Sequence, residues 1–172
     1  MMEKEELILR ALEPTDVDLL YKWENDMKIW EVSNTLTPFS RHQLKLYVEQ
    51  AQLDIYQTKQ LRLIIELEPS QTPVGMIDLF DFDGFHQRGG IGIIIHEDYR
   101  KLGYASEALD MFAEYCFGTL GLKQLYANIT INNTGSINLF EKAGFNIIGT
   151  KKAWIKTKDG FVDELMYQKL NR

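Results

Sequence analysis

The sequence IGIIIHEDYRKLGYASEALDMFAEYCFGTL, residues 91–120, decides the fold of this chain. It opens with an apolar run over residues 91–95 that is rich in β-branched side chains and is typical of a buried strand. Beyond a short polar turn, apolar residues recur at the spacing of a helix with one face in a core; they are Ala105, Ala108, Leu109, Phe112, Cys116 and Leu120. The stretch therefore predicts a strand, a tight basic loop and a helix.

The loop between this strand and helix has the features of an anion site. At a helix N-terminus the first backbone N–H groups have no intrahelical partner, and the helix dipole adds partial positive charge. Arg100 and Lys101 supply two cations, while Gly103, Ala105 and Ser106 are small enough to let an anion approach the backbone. The ligand expected here is a pyrophosphate.

The spacing of the loop residues separates it from two common phosphate motifs. The P-loop pattern G-x-x-x-x-G-K-[ST] does not occur, and the dinucleotide pattern that Gly90 and Gly92 begin fails because Ile95 replaces the third glycine. Residues 100–105 instead read R-x-x-G-x-A. This resembles the acetyl-CoA-binding motif [RQ]-x-x-G-x-[GA] of the Gcn5-related N-acetyltransferases (GNAT).

A second segment, NTGSINLFEKAGF at residues 133–145, strengthens the resemblance. It is similar to N-x-x-[SA]-x-x-[LI]-[YF]-x-K-x-G-F, which follows the fifth strand of these enzymes. The resemblance implies that acetyl-CoA is the co-substrate and that its pantetheine arm runs between this helix and the strand before the loop. The implied cofactor-binding residues are Ile93, Ile94 and Ile95 on the strand, Arg100, Lys101, Leu102, Gly103, Tyr104, Ala105 and Ser106 in the loop, and Asn133, Ser136, Phe140 and Lys142 on the second helix.

The remaining chain predicts the element order β-α-α-β-β-β-α-β-α-β-β. Capping boxes at Thr15 to Asp18 and at Ser40 to Gln43 open two helices. Residues 27–39 between them are expected to be irregular; connections of this length are often functional, but the sequence does not show whether this one binds substrate. The order matches the GNAT fold from end to end. We therefore expect residues 1–172 to form one α/β domain, with a mixed, mostly antiparallel sheet of about seven strands, helices on both faces and a splay between strands 4 and 5.

Composition and charge exclude several function classes. The formal net charge of -6 disfavours nucleic-acid binding and suits a cationic substrate. No apolar run is long enough to span a membrane and the N-terminus is too charged for a signal peptide, so a cytoplasmic protein without a membrane partner is expected. Cys116 is the single cysteine and is expected to be a buried thiol. No metal site is predicted, because Arg100 stands where an H-E-x-x-H motif needs histidine.

Within the family, the sequence resembles the polyamine N-acetyltransferases and the ribosomal-protein N-terminal acetyltransferases. The polyamine branch carries a tyrosine at the position of Phe140, where its hydroxyl is thought to protonate the departing thiolate. It also commonly carries an acidic residue at the position of Gly90. Two groups that the resemblance would assign to catalysis are therefore absent from this sequence.

A base is still needed, because an alkylammonium with a pKa near 10.4 is neutral in only about one molecule in 2,500 at pH 7. Asp78 and Asp81, on the predicted strand 74–82, are the candidate catalytic residues, and their spacing places them on opposite faces. We predict direct attack of a primary amine on the thioester in a ternary complex, since no nucleophile–base pair is evident.

The predicted acceptor is a small amine or polyamine. Two alternatives stay open at this point: acetylation of a (ribosomal) protein or peptide N-terminus, and acyl-CoA binding by a sensor with weak catalysis. The sequence leaves the identity of the amine undetermined. It also does not distinguish a monomer from a homo-oligomer.

Overall fold

A seven-stranded mixed sheet forms the centre of the computed structural model, which describes residues 5–172. The spatial order is β1-β2-β3-β4-β5-β7-β6. Neighbouring strands are antiparallel except β4 and β5, which are parallel. The strands are β1 Glu6–Ala11, β2 Leu61–Glu68, β3 Thr72–Asp83, β4 Arg88–Ile95, β5 Gln124–Thr130, β6 Asn146–Thr157 and β7 Gly160–Leu170.

Helices cover both faces of the sheet, which confirms the predicted fold class. The helices are α1 Val17–Glu24, α2 Met27–Ser33, α3 Arg41–Gln50, α4 Ile55–Thr58, α5 Tyr104–Gly118 and α6 Thr134–Lys142. One core contains Leu20 of α1 and Val48 of α3, packed with Ile64 of β2. The opposite core contains Phe112 of α5 and Phe140 of α6. Among the helices between residues 5 and 172, none combines the length and apolar character that crossing a bilayer requires.

The helix α5 follows the spacing that the sequence predicted. Its inward residues Ala108, Leu109, Phe112 and Cys116 are 0% exposed. Burial of such side chains contributes roughly 1.5–3 kcal/mol for each large apolar residue, so this stripe fixes α5 against the sheet. Because the strand β4 leads directly into the loop before α5, the loop is held at one end of the sheet.

Two local predictions were wrong. Residues 27–39 are not irregular throughout, because α2 occupies Met27–Ser33 and ends at Asn34 in the left-handed conformation. The capping box at Thr15 does not form; a 3-10 turn over Pro14–Asp16 precedes α1, and the backbone N–H of Glu13 donates to the Asp16 carboxylate at 2.8 Å. The second capping box, at Ser40 and Gln43, is confirmed.

The parallel strands β4 and β5 separate soon after they meet. Their ladder consists of the pairs Arg88–Gln124, Gly89–Leu125 and Gly90–Tyr126. Beyond these pairs, residues 91–95 of β4 and 127–130 of β5 diverge. β5 is held instead by β7, with which it pairs along its whole length. This separation is the splay that was predicted between strands 4 and 5.

Gly75 provides a test of the packing between β3 and β4. An added Cβ at Gly75 would lie 2.3 Å from the backbone oxygen of Ile94, and backbone cannot easily move aside. We expect Gly75→Ala to lower the free energy of unfolding by about 1–3 kcal/mol in urea denaturation. Gly118→Ala, where a Cβ has open space at the end of α5, should change it by less than about 1 kcal/mol. Equal unfolding midpoints for the two variants would contradict the packing described here.

Candidate active site

A cavity of about 750 Å³ opens where β4 and β5 separate. Backbone and side chains of residues 91–94 and 127–130 line it from the sheet. The helix α2 and the segment after it contribute residues 31–35, and α6 contributes Ser136 and Phe140. A volume of this size is typical of a small-molecule site.

The pairing register of the strands builds the floor of this cavity. Directly paired residues of neighbouring strands share one face of a sheet. Arg62 of β2 pairs with Asp78 of β3, which pairs with Gly92 of β4. These three positions form a row, and the missing side chain of Gly92 leaves open space in front of Asp78.

A second row lies beyond the gap between β4 and β5. Thr130 of β5 pairs with Glu164 of β7, which pairs with Lys151 of β6. Lys151 Nζ lies 2.6 Å from Glu164 Oε1 and 3.3 Å from Asn128 Oδ1. The exposed ring of Trp154 borders this wall, with its centroid 5.2 Å from Lys151 Nζ.

Ion pairs connect the first row to α1. The Arg62 guanidinium donates through Nε and Nη2 to the two Asp78 carboxylate oxygens, both at 2.7 Å, and through Nη1 to Glu24. Burial by itself would lower the pKa of Arg62, but the attraction of Asp78, Tyr47 and Glu24 raises it well above its usual value. Arg62 is therefore permanently charged in this site.

The cavity carries a net negative charge. Its lining contains four carboxylates and two cations, which gives a formal charge of -2 for the described residues. Both cations are paired with carboxylates of the lining, Arg62 with Glu24 and Asp78, and Lys151 with Glu164. The fourth carboxylate is that of Glu31 on α2. A cavity of this charge concentrates cations.

The loop before α5 is shaped to receive an anion. Gly103 caps α5 in the left-handed conformation, with φ of 88°, and a Cβ built on it would meet no atom within 4 Å among the described residues. Among the described residues, no side chain caps the N-terminus of α5. The first backbone N–H groups of α5 therefore remain available, and the loop fits a phosphate group.

Comparison with known proteins identifies the family. The model of the acetyltransferase (GNAT) domain matches residues 6–146. The chain belongs to the GNAT acetyltransferase family. One relative is the SPbeta prophage-derived uncharacterized N-acetyltransferase YokL of Bacillus subtilis, 29% identical over 163 residues that cover 95% of this chain and 89% of YokL.

Two further comparisons lead to a spermidine acetyltransferase of Vibrio cholerae. The spermidine N(1)-acetyltransferase of this organism is 22% identical to this chain. The alignment covers 81% of this chain and 79% of the Vibrio cholerae protein. The crystal structure of spermidine N-acetyltransferase from Vibrio cholerae in complex with CoA and spermine superposes with a TM-score of 0.86 at 22% identity, over 95% of both chains. At this identity the structural likeness shows the fold.

In the present chain, the cavity brings together six of the site residues that were predicted from the sequence. They are Asp78, Ile93, Ile94, Asn133, Ser136 and Phe140. Asn133 caps α6, because its Oδ1 accepts a hydrogen bond from the Ser136 backbone N–H at 3.2 Å. Its side-chain amide nitrogen remains a donor for a ligand.

The other predicted residues lie outside the cavity. Lys101, Leu102 and Gly103 are exposed in the loop. In the first turn of α5, Tyr104 and Ala105 are half-buried and Ser106 is exposed. The Arg100 side chain contacts the end of β4, because its Nε donates to the Ile95 carbonyl at 3.0 Å. Arg100 and Ile95 line a separate small cleft. Lys142 is exposed in the last turn of α6.

Asp81 is separated from Asp78 by a bulge. The β3–β4 register shifts between Phe80 and Asp83, and Asp81 adopts φ of 48° within this irregularity. Its carboxylate is exposed, and Oδ2 lies 3.5 Å from the Tyr126 hydroxyl. Of the two candidate acids, Asp78 is therefore the one that lines the cavity.

The two positions at which the sequence departs from the polyamine branch lie in packed surroundings. A Cβ at Gly90 would lie 2.3 Å from the Phe80 ring, so that ring fills the space an acidic side chain would need. Phe140 is 3% exposed and packs edge-to-face on Phe145, with ring centroids 5.0 Å apart. Position 140 thus contributes apolar surface to the cavity.

Several lining residues were missed from the sequence. Arg62 and Tyr47 carry no motif, and Arg62 faces Asp78 only because of the β2–β3 register. Lys151 and Glu164 face each other across the β6–β7 hairpin. Their pairing cannot be found by counting residues outward from the hairpin turn, because the register shifts between Lys151 and Ile155. For Lys151 and Glu164, the available signal was a single charged residue on one face of each strand.

Cys116 gives a chemical test of the core beneath the site. The thiol is 0% exposed, and burial raises its pKa to about 12. At pH 8 about one molecule in ten thousand would be a thiolate, so we expect iodoacetamide to leave native Cys116 unmodified in intact-mass measurements. The same chain in urea should be alkylated readily. Rapid modification of the folded protein would show that α5 does not bury this residue.

Proposed function

We propose that this acetyltransferase transfers the acetyl group of acetyl-CoA to a primary amine of a small cationic molecule, by direct attack in a ternary complex. The observation that carries the proposal is the continuity of two features. The gap between β4 and β5 opens into the acid-lined cavity, so a thioester in the gap would meet an amine held by carboxylates. The CoA and spermine complex of the Vibrio cholerae relative supports the same pairing of ligands.

The cofactor would lie along β4 and the two helices that follow it. The loop over residues 100–106 and the N-terminus of α5 would bind the pyrophosphate. The β4 backbone beyond Gly90, outside the β4–β5 ladder, would hydrogen-bond the pantetheine, with Asn133 and Ser136 on the opposite side. Bound acetyl-CoA supplies an activated acyl group, and backbone N–H near Ile94 would stabilise negative charge on its carbonyl oxygen.

Asp78 is the proposed general base. It lines the cavity, and its side chain is 30% exposed, more than that of Arg62 or Glu24 beside it. Each of its oxygens accepts from Arg62 and keeps a second lone pair for an ammonium group. The carboxylate would accept the amine proton directly or through one water.

Two features favour direct attack without a strong acid. The described residues that line the cavity include neither cysteine nor histidine, so no pair typical of a covalent acyl-enzyme is present there. Phe140 offers no proton to the departing thiolate. A thiol with a pKa near 8.5 is already a fair leaving group, and water can protonate it.

The cofactor assignment predicts the effect of a side chain at Gly103. We expect Gly103→Val to weaken acetyl-CoA binding at least about tenfold in calorimetry, because a branched side chain would crowd the phosphate. Gly121→Val is the matched control, since Gly121 also has positive φ and open space but lies beyond the other end of α5. If both variants bind acetyl-CoA as tightly as the wild type, the loop assignment is wrong.

The acceptor assignment predicts a preference for spermidine over a short peptide with a free α-amine. Free-thiol release should give the larger kcat/KM with spermidine, and this value should fall as salt is raised because the cavity attracts the substrate electrostatically. A preference for the peptide that salt does not change would indicate an N-terminal acetyltransferase. Acetyl-CoA binding without thiol release for any amine would indicate a sensor.

A further inference from the structure

We infer that Arg62 is a positioning residue for the acetyl transfer. It fixes the plane of the Asp78 carboxylate toward the acceptor amine and also pairs with the more buried Glu24, so that Asp78 is held in place to receive the proton. This inference rests on the proposed function, in which Asp78 is the base. It adds a residue whose effect on the reaction passes entirely through another side chain.

The contacts of Arg62 define two different edges of its guanidinium group. Nε and Nη2 form one edge and donate to Oδ1 and Oδ2 of Asp78, both at 2.7 Å. Nη1 lies on the other edge and donates to Glu24. A two-point contact of this kind fixes both the distance and the plane of a carboxylate, which a single-point contact cannot do.

The burial of the three charges is graded toward the cavity. The side chains of Glu24, Arg62 and Asp78 are 10%, 15% and 30% exposed, respectively. All three line the cavity, and Asp78 is the one most exposed to an acceptor. Tyr47 of α3 closes the site from the side, with its ring centroid 5.4 Å from the guanidinium carbon, and burial raises the pKa of this tyrosine.

Arg62 is the cation in direct contact with Asp78. The groups that face Asp78 or share its cavity are Arg62 on β2, Glu24 on α1, Tyr47 on α3, Glu31 on α2, and the Lys151–Glu164 pair on β6 and β7. Without Arg62, the carboxylates of Asp78 and Glu24 would be uncompensated like charges in a partly dry site.

The chain contains a matched control in Arg10. This arginine also bridges two carboxylates of low exposure, with Nε 2.6 Å from Glu66 Oε2 and Nη1 2.8 Å from Asp16 Oδ2. Arg10 lies on β1 and outside the cavity lining. Equivalent substitutions at positions 10 and 62 therefore break similar ion pairs, but only those at 62 change a group that faces the acceptor.

The experiment compares Arg62→Gln and Arg62→Lys with Arg10→Gln and Arg10→Lys in the full chain. The assay is thiol release from acetyl-CoA with spermidine across a pH series, and acetyl-CoA affinity is measured by calorimetry. We expect Arg62→Gln to shift the acidic limb of kcat/KM to higher pH, because it removes the cation beside the proposed base. Arg62→Lys, which keeps the charge but loses the two-point contact, should lower kcat about 10- to 100-fold with unchanged acetyl-CoA affinity. The Arg10 variants should retain the wild-type profile and kcat.

A second comparison isolates the route through Asp78. In an Asp78→Asn background, Arg62→Lys should lower kcat no further, because the carboxylate that it positions is gone. A persisting 10-fold loss would overturn the inference, as would an Arg10 variant that changes the pH profile as strongly as its Arg62 counterpart. If Arg62→Gln does not fold, the Arg62→Lys variants decide alone. If the wild-type chain releases no thiol with any amine, the proposed function itself is refuted. If the wild type is active but the Arg62 variants behave like the Arg10 variants, only the role of Arg62 is refuted.

Discussion

The separation of β4 from β5 after three paired residues is the constraint on which the site depends. A ladder that continued along both strands would satisfy their backbone groups internally and leave no space between them. Because it stops at Gly90 and Tyr126, the groups beyond must find other partners, which an amide-rich ligand can supply. β5 stays in place since β7 holds its other edge, and β7 brings Glu164 to the far wall. The gap is thus a stable part of the sheet.

The buried and partly buried charged side chains of this protein form ion pairs with one another. Arg10 bridges Asp16 and Glu66, Arg62 bridges Glu24 and Asp78, and Lys151 pairs with Glu164. Buried pairs of this kind contribute little net stability, because desolvation offsets their attraction, but breaking one leaves an uncompensated charge. The same chemistry therefore has two uses here. At Arg10 it joins β1, β2 and the turn before α1, whereas at Arg62 it places charge beside a cavity.

The sequence allowed the fold to be predicted because strong local signals coincide with it. The apolar stripe of α5 and the alternation of the strands are each repeated over many residues. The helix α2 escaped prediction because it has seven residues, of which Ile29 alone is buried. In the site, short motifs led to Ile93, Ile94, Asn133 and Phe140, whose roles in binding remain predictions. Arg62 and Glu164 could not be assigned to the site from the sequence, because their positions depend on the pairing of strands, which no local pattern contains. Asp81 was placed relative to Asp78 by strand alternation, and the bulge at Asp81 interrupts that alternation.

The contact between Phe80 and Gly90 couples these two positions sterically. A Cβ at position 90 would lie 2.3 Å from the half-buried Phe80 ring, so a side chain there needs that ring to turn aside or a smaller residue at position 80. Position 80 therefore controls what this edge of the cavity can carry: an aromatic ring over a glycine, or a smaller residue beside a longer side chain. Substitutions at the two positions have to be made and judged as a pair, because the effect of one depends on the other.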